Sequence, residues 1–254
     1  MSNFEREEQI LAVLKRKKTA SVKELSQQLY VSEATIRRDL IRMENTGSIR
    51  RSHGGAVISD SLGNETGFYF RSQSSLKEKR IIAELAADFI RSGTTLFIDS
   101  STTSGSVITL LDRYHHLNVI TNGLHNAIHL STHTDAAVFM AGGTINSRSN
   151  SAVGTDTINY IHKYYADIAL ISCNGIDTAF GITDAVPEQS QIKQAMLHHA
   201  TTKILLCTSE KFGRIMMCHT ANLSDFDYII TDRRPSDEFL NGKTLKNAEF
   251  IFPE

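Results

Sequence analysis

The sequence predicts an α/β protein in two parts, a short helical region followed by a larger region in which strands alternate with helices. Residues 1–57 show apolar residues at helical spacing, whereas residues 76–254 show short β-rich runs with helical segments between them. The first region holds eleven Lys and Arg against seven Asp and Glu, and the rest of the chain holds sixteen against twenty-one. A basic region joined to a mildly acidic one is typical of a polyanion-binding arm attached to another domain.

The composition excludes several classes of protein. With 41% apolar residues among 254, the chain has enough apolar side chains for a core and is not disordered. No apolar run approaches the ~20 residues that cross a bilayer, and the charged start MSNFEREEQI resembles no signal peptide, so we expect a cytoplasmic protein. The cysteines Cys173, Cys207 and Cys218 are far apart, which favours buried thiols over a disulfide or a metal site.

The first region is predicted to contain three helices, in the segments EREEQILAVLKRK, SVKELSQQL and EATIRRDLIRMEN. Ser21 and Glu24 form a Ser-x-x-Glu capping box at the start of the second helix, and Ser32 is placed to cap the third. The next segment, SIRRSHGGAV, has two arginines, a glycine pair and β-branched flanks, which predict a small hairpin. Three helices and a basic hairpin form a winged helix-turn-helix.

The third helix is expected to present a basic face. Ile36, Leu40 and Met43 define its buried side at ~100° per residue, which leaves Arg38 and Arg42 on the opposite side. Such a face fits the major groove of DNA, where arginine donates two hydrogen bonds to guanine, and Arg38 is the best-placed base reader. The alternative is that these arginines form only a solvated helix face.

The predicted DNA contacts combine three kinds of group. Hydroxyls near the start of the third helix are placed for phosphate oxygens, its arginines read bases or hold phosphates, and the hairpin residues reach the backbone or the minor groove. The set is Ser32, Thr35, Arg37, Arg38, Arg42, Arg50, Arg51 and His53.

This N-terminal pattern resembles the DNA-binding signature of the DeoR family of bacterial transcription regulators. The resemblance is carried by Arg6, Ile10, Leu14, Ser32, Thr35, Ile36, Arg37, Arg38, Asp39 and Leu40, and by the segment RRSHGGA. It implies a winged helix-turn-helix that binds double-stranded operator DNA as a homo-oligomer, a dimer or larger, usually as a repressor of sugar-utilisation genes.

The second region follows a segment, residues 58–75, that is rich in Ser, Gly and Asn and is predicted to be a linker. The expected domains are therefore 1–57 and 76–254. Seven β-rich runs recur in the second, namely TTLFID, LNVIT, AAVFMA, DIALIS, KILLCT, DYIIT and EFIF. Helical segments such as GSVITLLDRY lie between most of them, which predicts a Rossmann-like, mostly parallel sheet covered on both faces.

Small polar residues follow five of these runs, in the segments DSSTTSG, TNG, GGT, CNGID and SEKFG. Ligands of open α/β sheets bind at the carboxyl ends of the strands. Glycine permits close approach of a backbone, hydroxyls and helix N-termini accept phosphate, and Lys211 adds a positive charge. For DSSTTSG alone, the alternative is a simple helix cap.

The resemblance to the DeoR family continues through segments such as AGGTINSRSNSAVG, NGID and SEKFG. It implies a sensor domain whose fold is related to ribose-5-phosphate isomerase, glucosamine-6-phosphate deaminase and CoA transferases, with a phosphorylated sugar as effector and no cofactor. By this similarity Ser100, Ser101, Thr102 and Thr103 form the phosphate loop, and Asn122, Gly142, Gly143, Gly175 and Lys211 line the sugar site. Asp99 and Glu188 are further candidates.

The phosphate loop departs from the usual family pattern at two positions. Ser101 stands where glycine is usual, and Ser104 stands where a threonine is usual. A Cβ at residue 101 is expected to restrict a positive φ or to crowd the phosphate, which would lower affinity without changing the binding mode. Glu210, beside Lys211, is also unusual and is expected to weaken the grip of the lysine on a phosphate.

Two rival interpretations remain to be tested. A sugar-phosphate isomerase or deaminase with a DNA-binding arm would need a general base, for which Asp99, Asp184, Glu188 and His198 are available, but no spacing singles out an acid/base pair. Zinc could bind His125, His129 and His133 at i, i+4 and i+8, but the predicted helix is too short to hold all three, so no metal is expected. The sequence leaves open which sugar phosphate binds, and whether it releases or promotes DNA binding.

Overall fold

Three helices and a small antiparallel sheet make up the first of two units into which the chain divides, Met1–Arg71 and Ser72–Glu254. The computed structural model describes residues 3–45, 49–52, 54–58, 67–242, 245 and 248–253. Within these ranges, every helix is too short or too polar to cross a bilayer.

The first unit is a winged helix-turn-helix, as predicted. Its elements are α1 (Asn3–Lys17), β1 (Thr19–Ser21), α2 (Val22–Leu29), α3 (Glu33–Asn45), β2 (Ile49–Ser52) and β3 (Gly55–Ile58). The strands are antiparallel in the order β1-β3-β2. The sequence does not predict β1, because three residues are too few to show an alternating pattern.

Both predicted helix caps are present in the first unit. The backbone N–H of Glu24 donates to Ser21 Oγ at 3.1 Å, and the N–H of Ser21 donates to Glu24 Oε2 at 2.8 Å, which completes the capping box of α2. At α3, the N–H of Thr35 donates to Ser32 Oγ at 3.2 Å. These bonds satisfy N–H groups that a helix start leaves without partners, and they fix where α2 and α3 begin.

The core of the first unit lies where the three helices meet the sheet. Ile36, Leu40 and Met43 of α3 are all buried in it, as their spacing predicts. Ile10 and Leu14 of α1 are fully buried in the same apolar cluster. One side of α3 is thus held against the core, and its other side faces solvent.

The second unit is larger, and the short helix α4 spans the boundary between the first unit and the second. In chain order the elements are α4 (Phe68–Gln73), α5 (Leu76–Ala87), β4 (Thr95–Ile98), β5 (Asn118–Thr121), α6 (Leu124–His133), β6 (Ala137–Met140), β7 (Thr144–Asn146), β8 (Ser151–Val153), α7 (Thr155–Ile161), β9 (Ala166–Ile171), β10 (Gly175–Asp177), β11 (Gly181–Asp184), α8 (Pro187–His198), β12 (Ala200–Leu206), β13 (Cys218–Ala221), β14 (Tyr228–Ile230), α9 (Asp237–Leu240) and β15 (Glu249–Ile251).

The segment predicted as a linker, 58–75, includes the helix α4, which is not among the predicted helices. Phe70 of α4 packs against the apolar core of the first unit. Residues 59–66 of the same segment lie outside the described residues.

A seven-stranded parallel sheet organises the second unit. Its order is β15-β14-β12-β9-β4-β5-β6, and its strands correspond to the seven predicted runs. Phe97 of β4 belongs to one apolar cluster, whereas Leu96 and Ile98 belong to another, so both faces of the sheet are covered as predicted. Ile98 pairs with Thr121 and with Leu170, so the carboxyl ends of three central strands lie side by side.

Three features of the second unit differ from the expectation. The hairpin β7–β8 and the antiparallel sheet β10-β11-β13 are additional. The segment predicted as a regular helix after β4 is instead a 3-10 helix, Ser104–Arg113. Ser106 Oγ donates to the carbonyl of Thr103 at 2.6 Å, and Thr109 Oγ1 donates to that of Ser106 at 2.9 Å. Such i→i−3 hydroxyl bonds compete with the α-helical pattern and accompany the tighter turn.

Candidate nucleic-acid interface and effector site

A buried ion-pair network holds α3 against α1. Asp39, 1% exposed, accepts hydrogen bonds from Arg6 Nη2 at 3.0 Å and from Arg42 Nη2 at 2.8 Å, and Arg6 Nε also contacts its carboxylate. Arg42 Nε bonds Glu7 of α1 as well. The hydrogen bond with Asp39 raises the pKa of Arg6, so this guanidinium stays charged in the core. The network orients α3 through a charged pair and not only through apolar packing.

The arginines predicted to contact DNA differ in whether an acidic side chain pairs with them. Arg37 pairs with Glu33 at 2.8 Å, and Arg51 lies 3.8 Å from Glu44. Within the described residues, Arg38 and Arg50 are exposed and form no ion pair. An exposed guanidinium without an acidic partner keeps its donors for another molecule.

The other predicted DNA contacts lie at the start of α3 and in the wing. At the exposed start of α3, a hydrogen bond of 3.0 Å links Ser32 Oγ and Thr35 Oγ1. Arg50 and Arg51 lie on β2, which pairs with β3 to form the wing. His53 lies outside the described residues.

In the second unit, the loop after β4 folds around the carboxylate of Asp99. Asp99 is 1% exposed, and its Oδ1 accepts from Ser101 Oγ at 2.7 Å and from Ser104 Oγ. The two serine hydroxyls lie 2.7 Å apart, and Ser104 N–H donates to Ser101 Oγ at 3.2 Å. The two serines that depart from the family pattern therefore contact each other and the same carboxylate oxygen.

The expected strain at Ser101 is absent. Ser101 is not among the described residues with positive φ, so a side chain fits its backbone without cost. Its Oγ instead organises the first turn after the strand, as a serine cap does. The expectation that the Cβ restricts a positive φ is therefore wrong.

A buried amide links this loop to the hairpin β7–β8. Ser100 Oγ donates to Gln189 Oε1 at 3.1 Å, and Gln189 Nε2 donates to Ser149 Oγ at 3.1 Å and Ser151 Oγ at 2.9 Å. All four side chains are less than a twentieth exposed. Sequence reasoning chose Glu188, which is exposed at the start of α8, whereas the next residue, Gln189, points into the site.

Lys211 joins the ends of three strands. Its Nζ lies 3.3 Å from Thr103 Oγ1 and 3.0 Å from Ser172 Oγ, so residues after β12, β4 and β9 meet there. Among the described residues, no carboxylate pairs with Lys211, and the neighbouring Glu210 is exposed. The positive charge thus contacts two hydroxyls.

A second lysine is buried between two carboxylates. Lys193 of α8 donates to Asp184 Oδ1 at 2.5 Å and lies 3.6 Å from Asp99 Oδ2. Thr220 Oγ1 donates to the other Asp184 oxygen at 2.8 Å. Burial disfavours the charged lysine, but Asp184 and Asp99 outweigh that penalty and raise the pKa of Lys193. Sequence reasoning missed Lys193, although a lysine among the apolar positions of a helix is a detectable signal.

Four buried polar atoms near the strand ends have no hydrogen-bond partner within the described part of the chain. Three of them are Asp99 Oδ2, Asn122 Oδ1 and Thr208 Oγ1, which follow β4, β5 and β12 directly or one residue further, and a fourth, Thr231 Oγ1, directly follows β14. Asn122 is fully buried, and its Nδ2 donates to the carbonyl of Ala152 at 3.0 Å. Buried polar groups normally have partners, so these acceptors fit a polar ligand at this edge of the sheet.

The predicted glycines divide into two environments. Gly142 and Gly143 are exposed before β7, and Gly143 has φ +148 with the Thr157 hydroxyl directly beside it. Gly175 is buried, and a Cβ there would overlap the Arg214 carbonyl oxygen. Gly175 thus permits close packing of two backbone segments. In the predicted phosphate loop, Thr102 is half-buried.

The candidate general bases of an enzyme and the candidate zinc ligands are either far apart or already in contact with other side chains. Asp99 and Asp184 are held by Lys193, whereas Glu188 and His198 are exposed near opposite ends of α8. The rings of His129 and His133 stack at 4.4 Å, and no His, Cys, Asp and Glu group suited to a metal ion occurs among the residues described. The thiols of Cys173 and Cys207 are buried 3.8 Å apart and free, and Cys218 is also free.

The two units define a class of protein, a helix-turn-helix DNA-binding regulator with an α/β ligand-sensing domain. The family described as DeoR-like helix-turn-helix domain matches residues 6–62, and the DeoR C terminal sensor domain matches residues 74–233. The chain therefore belongs to the DeoR family of transcriptional regulators, which confirms the resemblance seen in the sequence. The chain is a DNA-binding regulator and not an enzyme.

Similar proteins span nearly the whole chain. The uncharacterized HTH-type transcriptional regulator YulB of Bacillus subtilis is 33% identical over 90% of this chain and 88% of its own. The HTH-type transcriptional regulator GolR of Listeria innocua is 31% identical over 92% of each chain. The glycerol-3-phosphate regulon repressor of Escherichia coli is 31% identical over 92% of this chain and 93% of its own.

Solved structures resemble parts of the chain at lower identity. A D-ribose-5-phosphate isomerase in complex with phospho-erythronic acid is 15% identical, with a TM-score of 0.39 over 53% of this chain. The chain spans about half the length of that isomerase, 52%. The eIF2B delta subunit of Chaetomium thermophilum is 15% identical, with a TM-score of 0.48 over 64% of this chain and 58% of its own.

Proposed function

We propose that the chain is a cytosolic repressor of carbohydrate-utilisation genes whose operator binding is modulated by a phosphorylated sugar. The observation that carries the proposal is Lys211, a half-buried ammonium group whose hydrogen-bond partners among the described residues are two hydroxyls. Such a charge beside the hydroxyl-rich loop after β4 is suited to an anion with several acceptor oxygens. The name of one relative, the glycerol-3-phosphate regulon repressor, supports an effector of this class.

The phosphate end of the effector is assigned to residues 100–103 and Lys211. The loop leads into the 3-10 helix that begins at Ser104, and backbone N–H groups at a helix start attract anions. Lys211 Nζ and Thr103 Oγ1 lie 3.3 Å apart, so one phosphate oxygen can accept a hydrogen bond from each of them.

The sugar end is assigned to the buried acceptors after the strands. Asn122 Oδ1 and Asp99 Oδ2 lack hydrogen-bond partners among the described residues, and acceptors of this kind require donors such as sugar hydroxyls. The Lys193 ammonium lies 3.6 Å from Asp99 Oδ2 and forms an ion pair with that carboxylate. Gly142 and Gly143 are assigned to the same end of the effector: a Cβ at Gly142 would meet open space, whereas at Gly143 it would overlap the Thr157 hydroxyl. Gly175 is assigned to packing and Glu188 to the rim.

The DNA interface is assigned to the exposed face of α3 and to the wing. Arg38 reads a base edge, and Arg50 reaches the phosphate backbone, because both guanidinium groups lack acidic partners in the described residues. Arg37, Arg42 and Arg51 must exchange or share a carboxylate before they bind phosphate. Ser32, Thr35 and His53 complete the proposed set.

Regulation follows from linkage between the two sites. An effector with different affinities for the DNA-competent and DNA-incompetent forms shifts their populations, and a coupling of ~1–3 kcal/mol changes operator affinity about 5- to 150-fold. Two helix-turn-helix units of a homodimer or tetramer must meet half-sites ~34 Å apart, so a change in subunit spacing suffices. The proposed domains are 1–57 and 76–254, joined by 58–75.

A thermal-shift screen tests the effector class. Purified full-length protein is incubated with phosphorylated sugars and with each parent sugar, and the melting temperature is measured. We expect at least one phosphorylated sugar to raise the melting temperature while its parent sugar does not, and Lys211→Met to abolish the shift. A Lys163→Met variant, exposed in the same unit, serves as the control for loss of one charge. Equal shifts with the parent sugar, or an undiminished shift in Lys211→Met, would contradict the phosphate assignment.

A further inference from the structure

We propose that Tyr30, in the turn between α2 and α3, donates a hydrogen bond from its phenol hydroxyl to a DNA phosphate beside the recognition helix. The inference rests on the proposed role of α3 in DNA binding and adds a contact from the turn that precedes it.

The backbone of Tyr30 adopts an unusual conformation for an aromatic residue. Tyr30 is the C-cap of α2 with φ 54 and ψ 41, in the left-handed region that glycine occupies without steric cost. Its N–H and that of Val31 both donate to the carbonyl of Ser26, and Ser26 Oγ donates to the carbonyl of Val31 at 2.6 Å. The turn is therefore fixed on both sides, and a bulky side chain at residue 30 is strained there.

The side chain of Tyr30 is exposed and contributes no polar or ring contact to the described part of the fold. It is 94% exposed, more than any other large apolar or aromatic side chain in the described part of the protein. Within the same part, its ring and hydroxyl form no hydrogen bond or ring contact. A glycine or an asparagine would adopt this backbone conformation at least as easily. We therefore infer that the phenol group of Tyr30 contacts another molecule.

The position of Tyr30 points to DNA as the outside partner. It stands two residues before Ser32, the cap of α3, and the exposed hydroxyls of Ser32 and Thr35 follow it. In helix-turn-helix complexes the N-terminal part of the recognition helix approaches the base edges, and the flanking residues contact the backbone. A tyrosine hydroxyl is a good donor to a phosphate oxygen, and its rigid ring loses little conformational freedom on binding.

Two substitutions of Tyr30 test the proposal in the full-length protein. The probe is a fluorescent duplex of random sequence and about 30 base pairs, because a phosphate contact does not depend on sequence. We expect Tyr30→Gly to raise the melting temperature by roughly 2–5 °C and yet to weaken binding about fivefold, the loss expected for one hydrogen bond. Tyr30→Phe should lose the same affinity without gaining stability. In neither variant should the salt dependence of binding change, because no charge is removed.

Ser75 provides the matched control for the backbone. It also has a positive φ, 52, and it caps α5 in the second unit. Ser75→Gly should stabilise the protein and leave affinity for the duplex unchanged. If Tyr30→Phe binds the duplex as tightly as the wild type, the proposed hydrogen bond is wrong.

Arginine variants distinguish this failure from a failure of the proposed interface. Arg38→Ala combined with Arg50→Ala should weaken binding to the same duplex and flatten its salt dependence. Wild-type binding by the Tyr30 variants together with weak binding by the arginine variant would overturn only the role of Tyr30. Wild-type binding by all of them would overturn the interface itself, and the role of Tyr30 with it.

Discussion

The exposed face of α3 and the loop after β4 are both polar, but they are prepared for their partners in opposite ways. On α3, Arg38 is exposed and without an acidic partner in the described residues, while its neighbour Arg37 is paired with Glu33. In the loop, Ser101 and Ser104 are bonded to each other and to Asp99. One surface keeps donors free, whereas the other is organised by internal hydrogen bonds before any ligand arrives.

This difference matches the size of the two partners. A nucleic acid offers many phosphates, so a surface can gain affinity from charges that remain solvated and mobile until contact. A small ligand has few groups, and its affinity depends on polar atoms held in place beforehand. Variants that remove organisation should therefore affect the second unit most, and variants that remove free charge should affect DNA binding most.

The largest effect is expected from Lys193→Met. The variant leaves Asp184 and Asp99 buried without the ammonium group between them, and an uncompensated buried charge costs about 3–5 kcal/mol. Urea unfolding at neutral pH measures the loss. The exposed Lys163→Met should stay within about 0.5 kcal/mol of the wild type, and equal stabilities of the two variants would show that the buried pair is not needed.

The next effect concerns base reading by Arg38. Arg38→Ala should lower the preference for operator over random DNA by an amount that corresponds to about 1–3 kcal/mol. Arg51→Ala should weaken binding to both and reduce the salt slope by about one. The operator is obtained by selection from a random duplex pool, and both variants are titrated at several salt concentrations. Unchanged discrimination in Arg38→Ala would exclude Arg38 as a base reader.

A smaller effect is expected at the departure from the family loop. Because Ser101 has no positive φ and its hydroxyl bonds Asp99 and Ser104, Ser101→Gly should not tighten sugar-phosphate binding. It should instead cost about 1 kcal/mol of stability through the lost hydrogen bonds and the freer unfolded chain. Calorimetric titration with a phosphorylated sugar from the screen measures the affinity. A tighter complex in Ser101→Gly would mean that the Cβ crowds the phosphate after all.

The smallest effect is a pH dependence of the α2 cap. Hydrogen bonds from the backbone and hydroxyl of Ser21 lower the pKa of Glu24 below its ordinary value of 4.5. A carboxylate whose pKa is lower in the folded state stabilises the fold above pH 4.5, and this contribution is lost as pH falls through the folded-state pKa. Glu24→Gln should therefore reduce the difference between the free energies of unfolding of the first unit at about pH 7 and at about pH 3. An identical pH profile in the variant would show that the carboxylate adds nothing to the cap.

The regular elements could be predicted because local patterns determine them. All seven strands of the central sheet and the caps at Ser21 and Ser32 follow from apolar runs and short capping motifs. The strands of the hairpin β7–β8 could not, because Thr144–Asn146 and Ser151–Val153 are short and lie in polar segments without an apolar run.

The organisation of the sites could not be predicted from local patterns. Arg6 and Asp39 are 33 residues apart, and Ser100 and Gln189 are 89 apart, so only the folded chain shows that they bond. The choice of Glu188 over Gln189 illustrates the limit. Sequence reasoning found the start of α8, but the direction of each side chain depends on how the helix packs.

The most direct test of the account is a measurement of linkage. Operator affinity of the full-length protein is titrated with and without a saturating phosphorylated sugar from the thermal-shift screen, in parallel with Lys211→Met. We expect the sugar to change the dissociation constant of the wild type about 5- to 150-fold and to leave that of Lys211→Met unchanged. A wild-type dissociation constant that is the same with and without the bound sugar would contradict the claim that the second unit senses the effector for the first.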